Sequence, residues 1–165
     1  TLRNRVGLVI RQDTLKTGNQ KGPDFVTHYS YDIAGNVTTV LQANHVLRRD
    51  IDPATLGTSG VADFHAFKRT DYDFDLVSGN VNAVHYQDGK PDQYHHAYRY
   101  DADNRITHVF SSKDGVIHDL DARYRYYRHG PLARTEIGED LVQGMDYLYT
   151  LHGWIKGATA CRQAA

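Results

Sequence analysis

The feature that most constrains how this chain folds is a short motif that recurs along it. The better copies read Tyr-x-Tyr or Tyr-x-Phe, then Asp, then a stretch containing Gly or Asn, and then a β-branched residue. The motif positions are Tyr29, Tyr31, Asp32, Gly35 and Asn36; Tyr72, Phe74, Asp75, Gly79 and Asn80; Tyr98, Tyr100, Asp101, Asn104 and Arg105; and, in a worn copy, Tyr124, Tyr126 and Gly130. A fainter copy begins at Tyr147. Self-similarity at a spacing of tens of residues predicts a repeat architecture, and such arrays mostly serve as surfaces, scaffolds or containers.

Each copy has the chemistry of a β-hairpin. Tyr-x-Tyr places two rings on one face of a strand, because side chains alternate with period two. The Asp carboxylate can accept hydrogen bonds from backbone N–H groups and open a turn, after which Val37, Val81 and Ile106 restart a strand. We therefore predict turns near residues 34–36, 78–80, 102–104 and 129–131. Gly35 and Gly79 are predicted at positive φ, which glycine adopts without steric cost.

The intervals between the copies indicate how the array is organised. Tyr72, Tyr98 and Tyr124 open copies at equal intervals, whereas the interval before Tyr72 is longer. That longer interval contains a turn-rich stretch at about 50–62, which we interpret as an inserted loop.

The ends of the chain do not coincide with whole copies. Residues 4–6 match residues 104–106, but no Tyr-x-Tyr-Asp precedes them. We interpret residues 1–12 as a partial repeat and expect the chain to be a piece of a longer array. The array is predicted to span 1–157, and residues 158–165 are predicted to be an unstructured tail.

These motifs resemble the YD repeats of the Rhs family, which also occur in the shells of bacterial toxin complexes and in teneurins. The resemblance covers residues 4–157, and the runs at 123–136 and 142–157 resemble the Rhs-type proteins common in Bacteroidetes. It implies an all-β fold of tandem antiparallel β-hairpins that form a curved, spiralling sheet, part of a larger shell. It also implies a secreted or cell-surface parent protein. The implied partners are neighbouring repeats of the same parent chain, an enclosed C-terminal toxin and, for adhesive members, glycans.

The sequence departs from that family at the end of the array. The family's conserved core ends in an Asp-Pro-x-Gly-Leu signature with a self-cleaving Asp, and this chain does not contain it. The run 52–56 is only superficially similar, and further repeats follow it, so the cleavage role is not carried over to Asp52.

Composition excludes several classes of function. The formal net charge is −1 and the pI is about 6.8, which gives no electrostatic footprint for nucleic acid. No apolar run approaches the roughly 20 residues that a membrane-spanning helix needs. The one cysteine, Cys161, excludes an internal disulfide framework. The 12 tyrosines favour a thin sheet with a wetted face, since each buried hydroxyl needs a partner or water.

Two local questions stay open at the level of sequence. Val37 and Val40 lie three residues apart, so either both faces of that strand are covered or a bulge intervenes. Residues 135–145 have some helical character, but Gly138 and Gly144 argue against a helix. We interpret that stretch as two strands joined at 138–140.

Metal and catalytic alternatives have weak support. Asp71, Asp73 and Asp75 begin like a calcium loop, but Leu76 and Asn82 stand where such a loop needs Gly and Glu. We therefore interpret the run as a strand with Asp75 opening the turn.

The histidines and the cysteine do not form a recognisable site. His85, His95 and His96 lack zinc-site spacing and are assigned to a solvent-facing hairpin end. Cys161 has no base near it in sequence and is interpreted as a loose thiol. No catalytic residue, metal ligand or cofactor is predicted.

Three functional hypotheses remain. The first is a non-catalytic structural segment of a YD-repeat shell that encloses or presents a toxin or effector. The second is a cell-surface adhesive module that binds glycans or a partner protein. The third is an enzyme of unknown type, which the sequence favours least. The Tyr-x-Tyr rows are either the packed face of the sheet or a platform for sugar rings, and their presence in every copy favours packing.

Overall fold

The computed structural model describes residues 5–12, 24–44 and 66–162, and the elements found there are β-strands. Their bounds are β1 Leu8–Arg11, β2 Phe25–Tyr31, β3 Val37–Asn44, β4 Phe67–Phe74, β5 Val81–Tyr86, β6 Tyr94–Tyr100, β7 Ile106–Ser112, β8 Asp119–Tyr126, β9 Leu132–Ile137, β10 Gln143–Tyr149 and β11 Ile155–Arg162. Within the described residues, the eleven strands form one sheet in chain order. Successive strands are antiparallel, as short turns require. The prediction of an all-β fold of antiparallel hairpins is confirmed.

The predicted turns lie where strands end. The turns near 34–36, 78–80, 102–104 and 129–131 connect β2 to β3, β4 to β5, β6 to β7 and β8 to β9. A fifth turn of the same kind connects β10 to β11. The stretch 135–145 also forms two strands, β9 and β10, that meet at 138–140 as predicted.

The predicted unstructured tail is wrong as far as Arg162. β11 continues to Arg162 and pairs along its length with β10, from Tyr149 opposite Ile155 to Gln143 opposite Arg162. This edge forms through backbone hydrogen bonds, which any non-proline residue can make. The side chains of Ala158, Thr159 and Ala160 therefore show no alternation that would predict a strand. At the other end, the predicted partial repeat contains β1, which pairs with β2. The predicted loop at 50–62 lies outside the described residues.

A β-bulge answers the question about Val37 and Val40. In the β2–β3 pair, Tyr29 lies opposite Val40 and Tyr31 opposite Val37, so Thr38 is one residue too many. Both valines therefore lie on the tyrosine face of the sheet. Three other hairpins have a bulge at the same place, and the extra residues there are Thr107, Ala133 and Lys156.

The chain divides into two compact units. The first contains Thr1–Phe74 and Val84–Gln93, and the second contains Asp75–Ala83 and Tyr94–Ala165. Buried hydrophobic residues among those described are Val26, Ala43 and Ala66, all in the first unit. In the second unit the buried polar residues are His95, Ser111, Ser112 and Glu136.

Two interpretations of polar runs have different outcomes. Asp71 and Asp73 lie in strand β4, as the strand interpretation has it, and Asp71 accepts a hydrogen bond of 2.7 Å from the hydroxyl of Thr39. The assignment of His95 to a solvent-facing end is wrong, because its side chain is buried at 3% exposure. The ring lies over Gly115, where an added Cβ would lie 3.4 Å from Nε2 of His95.

Gln87 follows directly after β5 and bonds to the first residues of β4, at the end of that strand away from the repeat turn. Its side chain is buried, its Oε1 accepts from the N–H of Arg69 at 2.9 Å, and its Nε2 donates to the carbonyl of Phe67 at 3.1 Å. The backbone N–H of Gln87 donates to the carbonyl of Arg69 at 2.8 Å. The side chain of Gln87 therefore pairs two backbone groups of β4, and its own N–H pairs a third.

We predict that Gln87→Ala lowers the free energy of unfolding by about 1–3 kcal/mol, because two backbone groups at a buried position lose their partners. Urea unfolding measures the change. Gln93→Ala is the matched control, since Gln93 accepts one hydrogen bond, from the N–H of Gly89, at an exposed turn. Equal losses in the two variants would contradict the role assigned to Gln87.

Candidate functional site: the repeated turn and its tyrosine contact

The turns of the repeated motif share a pattern of two backbone hydrogen bonds. In the first, Asp32 donates its N–H to the carbonyl of Asn36 at 3.0 Å, and Gly35 donates to the carbonyl of Asp32 at 3.2 Å. In the third, Asp101 and Arg105 form the outer bond and Asn104 donates to Asp101, both at 3.0 Å. The turns that begin at Tyr127 and Thr150 repeat this pattern with the same spacing. The turn at Asp75 is one residue longer.

The Asp side chain stabilises the turn that it opens. Oδ1 of Asp32 accepts from the N–H groups of Gly35 and Asn36, the second at 2.7 Å. Oδ1 of Asp101 accepts from the N–H groups of Asp103 and Arg105, each at 2.9 Å. These bonds are charge-assisted, and the N–H of Gly35 is shared between the carboxylate and the carbonyl of Asp32.

The two degenerate copies of the motif, whose turns begin at Tyr127 and Thr150, form the same backbone turn without the Asp. Tyr127 replaces Asp and has no carboxylate to offer, whereas Thr150 accepts the N–H of Trp154 on its hydroxyl at 3.1 Å. The backbone pattern therefore persists where the Asp is lost.

The positive φ predicted at the turns is present. Gly35 has φ 96° and Gly79 has φ 73°, as predicted, and Asn104 adopts φ 60° at the equivalent place. Gly35 is further restricted by space, since a Cβ there would overlap the guanidinium of Arg5. Any other residue at 35 would have to displace Arg5 as well as adopt a strained backbone.

In three copies, the last tyrosine before the turn contacts the preceding hairpin. The hydroxyl of Tyr31 donates to the carbonyl of Val6, that of Tyr100 to the carbonyl of Val81, and that of Tyr126 to the carbonyl of Ile106, each at 2.7 Å. The three acceptors occupy one position of the motif, the β-branched residue that restarts the strand. We call this hydrogen bond the tyrosine–carbonyl link.

An arginine completes the link in two places. The guanidinium of Arg105, one residue before Ile106, lies 4.6 Å from the ring centre of Tyr126 and 3.4 Å from the carbonyl of Gly130. Arg5, one residue before Val6, lies 5.4 Å from the ring of Tyr31 and 3.4 Å from the carbonyl of Ala34. A cation over an aromatic ring adds about 0.5–1 kcal/mol at an exposed site.

A third place uses asparagines in neighbouring turns. Asn80 occupies the position of Arg105 in its own copy, and its amide donates to the side-chain oxygen of Asn104 at 3.0 Å. The residue before the β-branched position therefore faces the next turn in each of these copies.

The second copy has Phe74 in place of the linking tyrosine. The register Thr39 opposite Asp71 places Phe74 one residue beyond the partner of Val37. Tyr126 has the same offset from Ile106, since His108 lies opposite Arg123. Phe74 thus stands where a hydroxyl would reach the carbonyl of Val37, and its ring instead stacks on Tyr72 at 6.3 Å.

The other predicted tyrosines pack across the strands of their own hairpins. Tyr29, Tyr98 and Tyr124 lie opposite Val40, Val109 and Thr135 on the same face as the linking tyrosines. All are half-buried, which agrees with a sheet face that is both packed and partly wet.

The electrostatics of the turn favour an ionised Asp. The pKa of Asp101 lies below its ordinary value because of the side-chain hydrogen bond from Arg105, then the backbone N–H of that residue. Nε of Arg105 lies 2.8 Å from Oδ2 of Asp101, and its Nη2 lies 2.7 Å from the same oxygen. The hydroxyl and N–H of Ser78 lower the pKa of Asp75 in the same way.

Sequence reasoning identified the motif residues and missed what they contact. It placed the tyrosines on one face and the Asp in the turn, but not the carbonyl acceptors at Val6, Val81 and Ile106. Residue type could not reveal these acceptors, because every residue carries a backbone carbonyl. Sequence reasoning also missed the ion pairs of Glu136. Its partners are Arg123 and Arg125 on β8 and Arg134 on β9.

The described part of the chain was found to hold neither a metal-binding cluster nor a membrane-crossing helix. No group of three or more His, Cys, Asp or Glu side chains there could hold a metal ion. No helix within it has the length and apolar character needed to cross a membrane.

Comparison with known proteins shows the fold. No protein-family model matches the sequence, and no curated protein does. Among solved structures, the chain is similar to the Photorhabdus luminescens Tc holotoxin pore that contains a TccC3 variant, with a TM-score of 0.61 and 16% identity over 84% of this chain and 6% of that chain. It is also similar to TcdB2–TccC3 without its hypervariable C-terminal region, with a TM-score of 0.58 and 15% identity over 82% and 6%.

This likeness confirms the fold expected from the resemblance to toxin-complex shells. The chain shares the fold of a portion of toxin-complex chains and spans 6% of the length of each. The relation to Bacteroidetes-type proteins and to teneurins stays a prediction.

We predict that Phe74→Tyr raises the free energy of unfolding by about 0.5–1.5 kcal/mol, the net value of one added hydrogen bond. The new hydroxyl is expected to bond the carbonyl of Val37 and supply the link that this copy lacks. Urea unfolding measures the gain, and Phe110→Tyr, which adds a hydroxyl on the face opposite the tyrosines, is the control. A Phe74→Tyr protein no more stable than the parent would show that the link depends on more than position.

We predict that Asp101→Asn is less stable than the parent at neutral pH and that the difference narrows in acid. The folded-state pKa of Asp101 is depressed below 3.8. Its contribution is therefore present above that value and is lost as the pH falls through the folded pKa. Unfolding curves over a pH series test this, with Asp119→Asn, at an exposed position of β8, as control. A difference that stays constant into strong acid would contradict the charge-based account.

Proposed function

We propose that this chain is a non-catalytic structural segment of a YD-repeat wall that encloses or presents a toxin or effector. The observation that carries the proposal is the tyrosine–carbonyl link, which joins a hairpin to the one before it in three copies. An interaction that uses only a backbone carbonyl of the preceding hairpin can be repeated without limit along a sheet. The likeness to portions of toxin-complex chains supports the same role.

The distribution of buried residues also supports a wall. The buried hydrophobic side chains among those described are Val26, Ala43 and Ala66, and no large side chain there is fully buried. A self-contained globule of this size ordinarily buries a continuous core. A sheet that gains its stability from neighbouring hairpins does not need one.

The partners of the wall are further repeats of the same parent chain. β1 and β11 stand at the two ends of the strand order in the described residues. Edge strands offer unpaired N–H and C=O groups to another strand. We propose that both edges pair with further hairpins in a secreted or surface-exposed parent protein.

The test uses the complete product of the reading frame that encodes this segment. Trypsin is added to the native protein, and the survival of the segment that follows the repeats is measured against the same segment expressed alone. Enclosure predicts that the segment survives in the native protein and is degraded when alone. Equal rates of cleavage would contradict enclosure.

A glycan-binding surface is the second candidate, and a polar cleft in the second unit favours it. Asn80, Asn82 and Asn104 line a cleft of about 440 Å³ together with the rings of Tyr98 and Tyr100. Amide groups beside aromatic rings suit the hydroxyls and the apolar face of a sugar.

A glycan array with the isolated chain separates the two candidates. An adhesive module is expected to bind defined glycans, and Asn82→Trp, which fills the cleft and leaves the bond between Asn80 and Asn104 in place, is expected to abolish binding. Binding that survives Asn82→Trp, or no binding at all, would remove the cleft from consideration.

A further inference from the structure

The face of the second unit opposite its tyrosines carries a row of charged side chains. Arg99 lies opposite His108, His108 opposite Arg123, and Arg123 opposite Glu136. Directly paired residues of antiparallel strands share a face. The row therefore crosses four strands, from β6 to β9, on one side of the sheet.

A second row lies beside the first, one step nearer the repeat turns. Arg125 lies opposite Arg134, and Arg134 lies opposite Asp146. The two rows together contain four arginines, one histidine and two acids. We call this surface the arginine face and define it as Arg99, His108, Arg123, Arg125, Arg134, Glu136 and Asp146.

Three of the arginines converge on one buried carboxylate. The side chain of Glu136 is 5% exposed, and its oxygens lie 2.6 Å from Nε of Arg123, 3.1 Å from Nε of Arg134 and 3.3 Å from Nε of Arg125. The hydrogen bond from Arg123 lowers the pKa of Glu136 and burial raises it, and the net result is a pKa below the ordinary value. Nη1 of Arg134 also lies 2.9 Å from each oxygen of Asp146.

The charges of the arginine face do not cancel. Four guanidinium groups stand against two carboxylates, on a chain whose net charge is −1. Arg99 is exposed and its guanidinium lies 5.1 Å from the ring centre of Phe110, and no ion pair between Arg99 and an acid occurs within the described residues. Arg125 is 56% exposed and has one contact, at 3.3 Å, with a carboxylate that two other arginines already bind.

The positive charges of this face also affect the pKa of His108. Burial first, and then the charges of Arg99 and Arg123, lower the pKa of His108. A like charge directly opposite another on a sheet is destabilising, and Arg125 opposite Arg134 is such a pair. Glu136 contacts both of these arginines and offsets part of this cost.

We propose that the arginine face is a docking surface for an acidic polypeptide segment, whose carboxylates bind Arg99 and Arg125. The guanidinium groups here already hold two carboxylates in close geometry, which is the arrangement an incoming Asp or Glu would extend. Two unmatched charges suit a segment with a few carboxylates better than a long phosphate backbone, which requires many cationic contacts. The inference stands independently of the enclosing role proposed above.

The experiment measures binding of an acetylated hexaglutamate peptide to the purified chain at low and at physiological salt. Hexaglutamine is the uncharged probe, and hexathymidylate is the phosphate probe. We expect hexaglutamate to bind, hexaglutamine to be silent, and binding to weaken as salt screens the charges. The double variant Arg99→Gln/Arg125→Gln is expected to lose binding about tenfold or more, since each charged hydrogen bond contributes roughly that factor.

The matched control is Arg11→Gln, which removes an exposed arginine of the first unit that rests on the ring of Phe25. It is expected to bind like the parent. Independently of any variant, the amide resonances of β6, β8 and β9 are expected to shift when hexaglutamate is added to the unaltered chain.

Three results would overturn the inference. These are undiminished binding by the double variant, peptide-induced shifts confined to strands outside the arginine face, and tighter binding of hexathymidylate than of hexaglutamate. The last would assign the face to phosphate chemistry instead.

Discussion

The fold depends on a hydrogen bond from a tyrosine hydroxyl to a backbone carbonyl of the preceding hairpin. Each such bond contributes only about 0.5–1.5 kcal/mol net. It matters here because the described residues bury three small or medium hydrophobic side chains and no large one completely. Where little stability comes from a core, repeated contacts between neighbouring hairpins supply a larger share of it. The arginine that rests on the same ring in two copies strengthens the contact without requiring burial.

Several features of the turn serve that contact. The bulge after the restarting residue rotates the strand so that Val37 and Val40 share the tyrosine face. The Asp carboxylate fixes the turn, and Gly35 leaves room for Arg5 to reach across to it. In the second unit, the face of the sheet opposite the tyrosines carries a row of charged side chains.

Much of this could be predicted from the sequence, and the reasons for the failures are specific. Local sequence patterns that recur in each copy predict the strands and the turns. They also predict the positive φ of Gly35 and Gly79. The strand at 158–162 could not be predicted, because it pairs through its backbone and its small side chains carry no period. The burial of His95 and the ion pairs of Glu136 depend on partners across strands, and register is not visible in one sequence. The acceptors of the tyrosine–carbonyl link are backbone atoms, which leave no mark on residue type.

Native-state hydrogen exchange on Tyr126→Phe tests the central claim most directly. Tyr126 bonds the carbonyl of Ile106 in the preceding hairpin, whereas Tyr124, on the same strand and face, pairs across its own hairpin with Thr135. If the link couples hairpins, Tyr126→Phe will speed amide exchange in β6–β7 and in β8–β9 together, and Tyr124→Phe will leave β6–β7 unchanged. Faster exchange confined to β8–β9 in Tyr126→Phe would contradict the account.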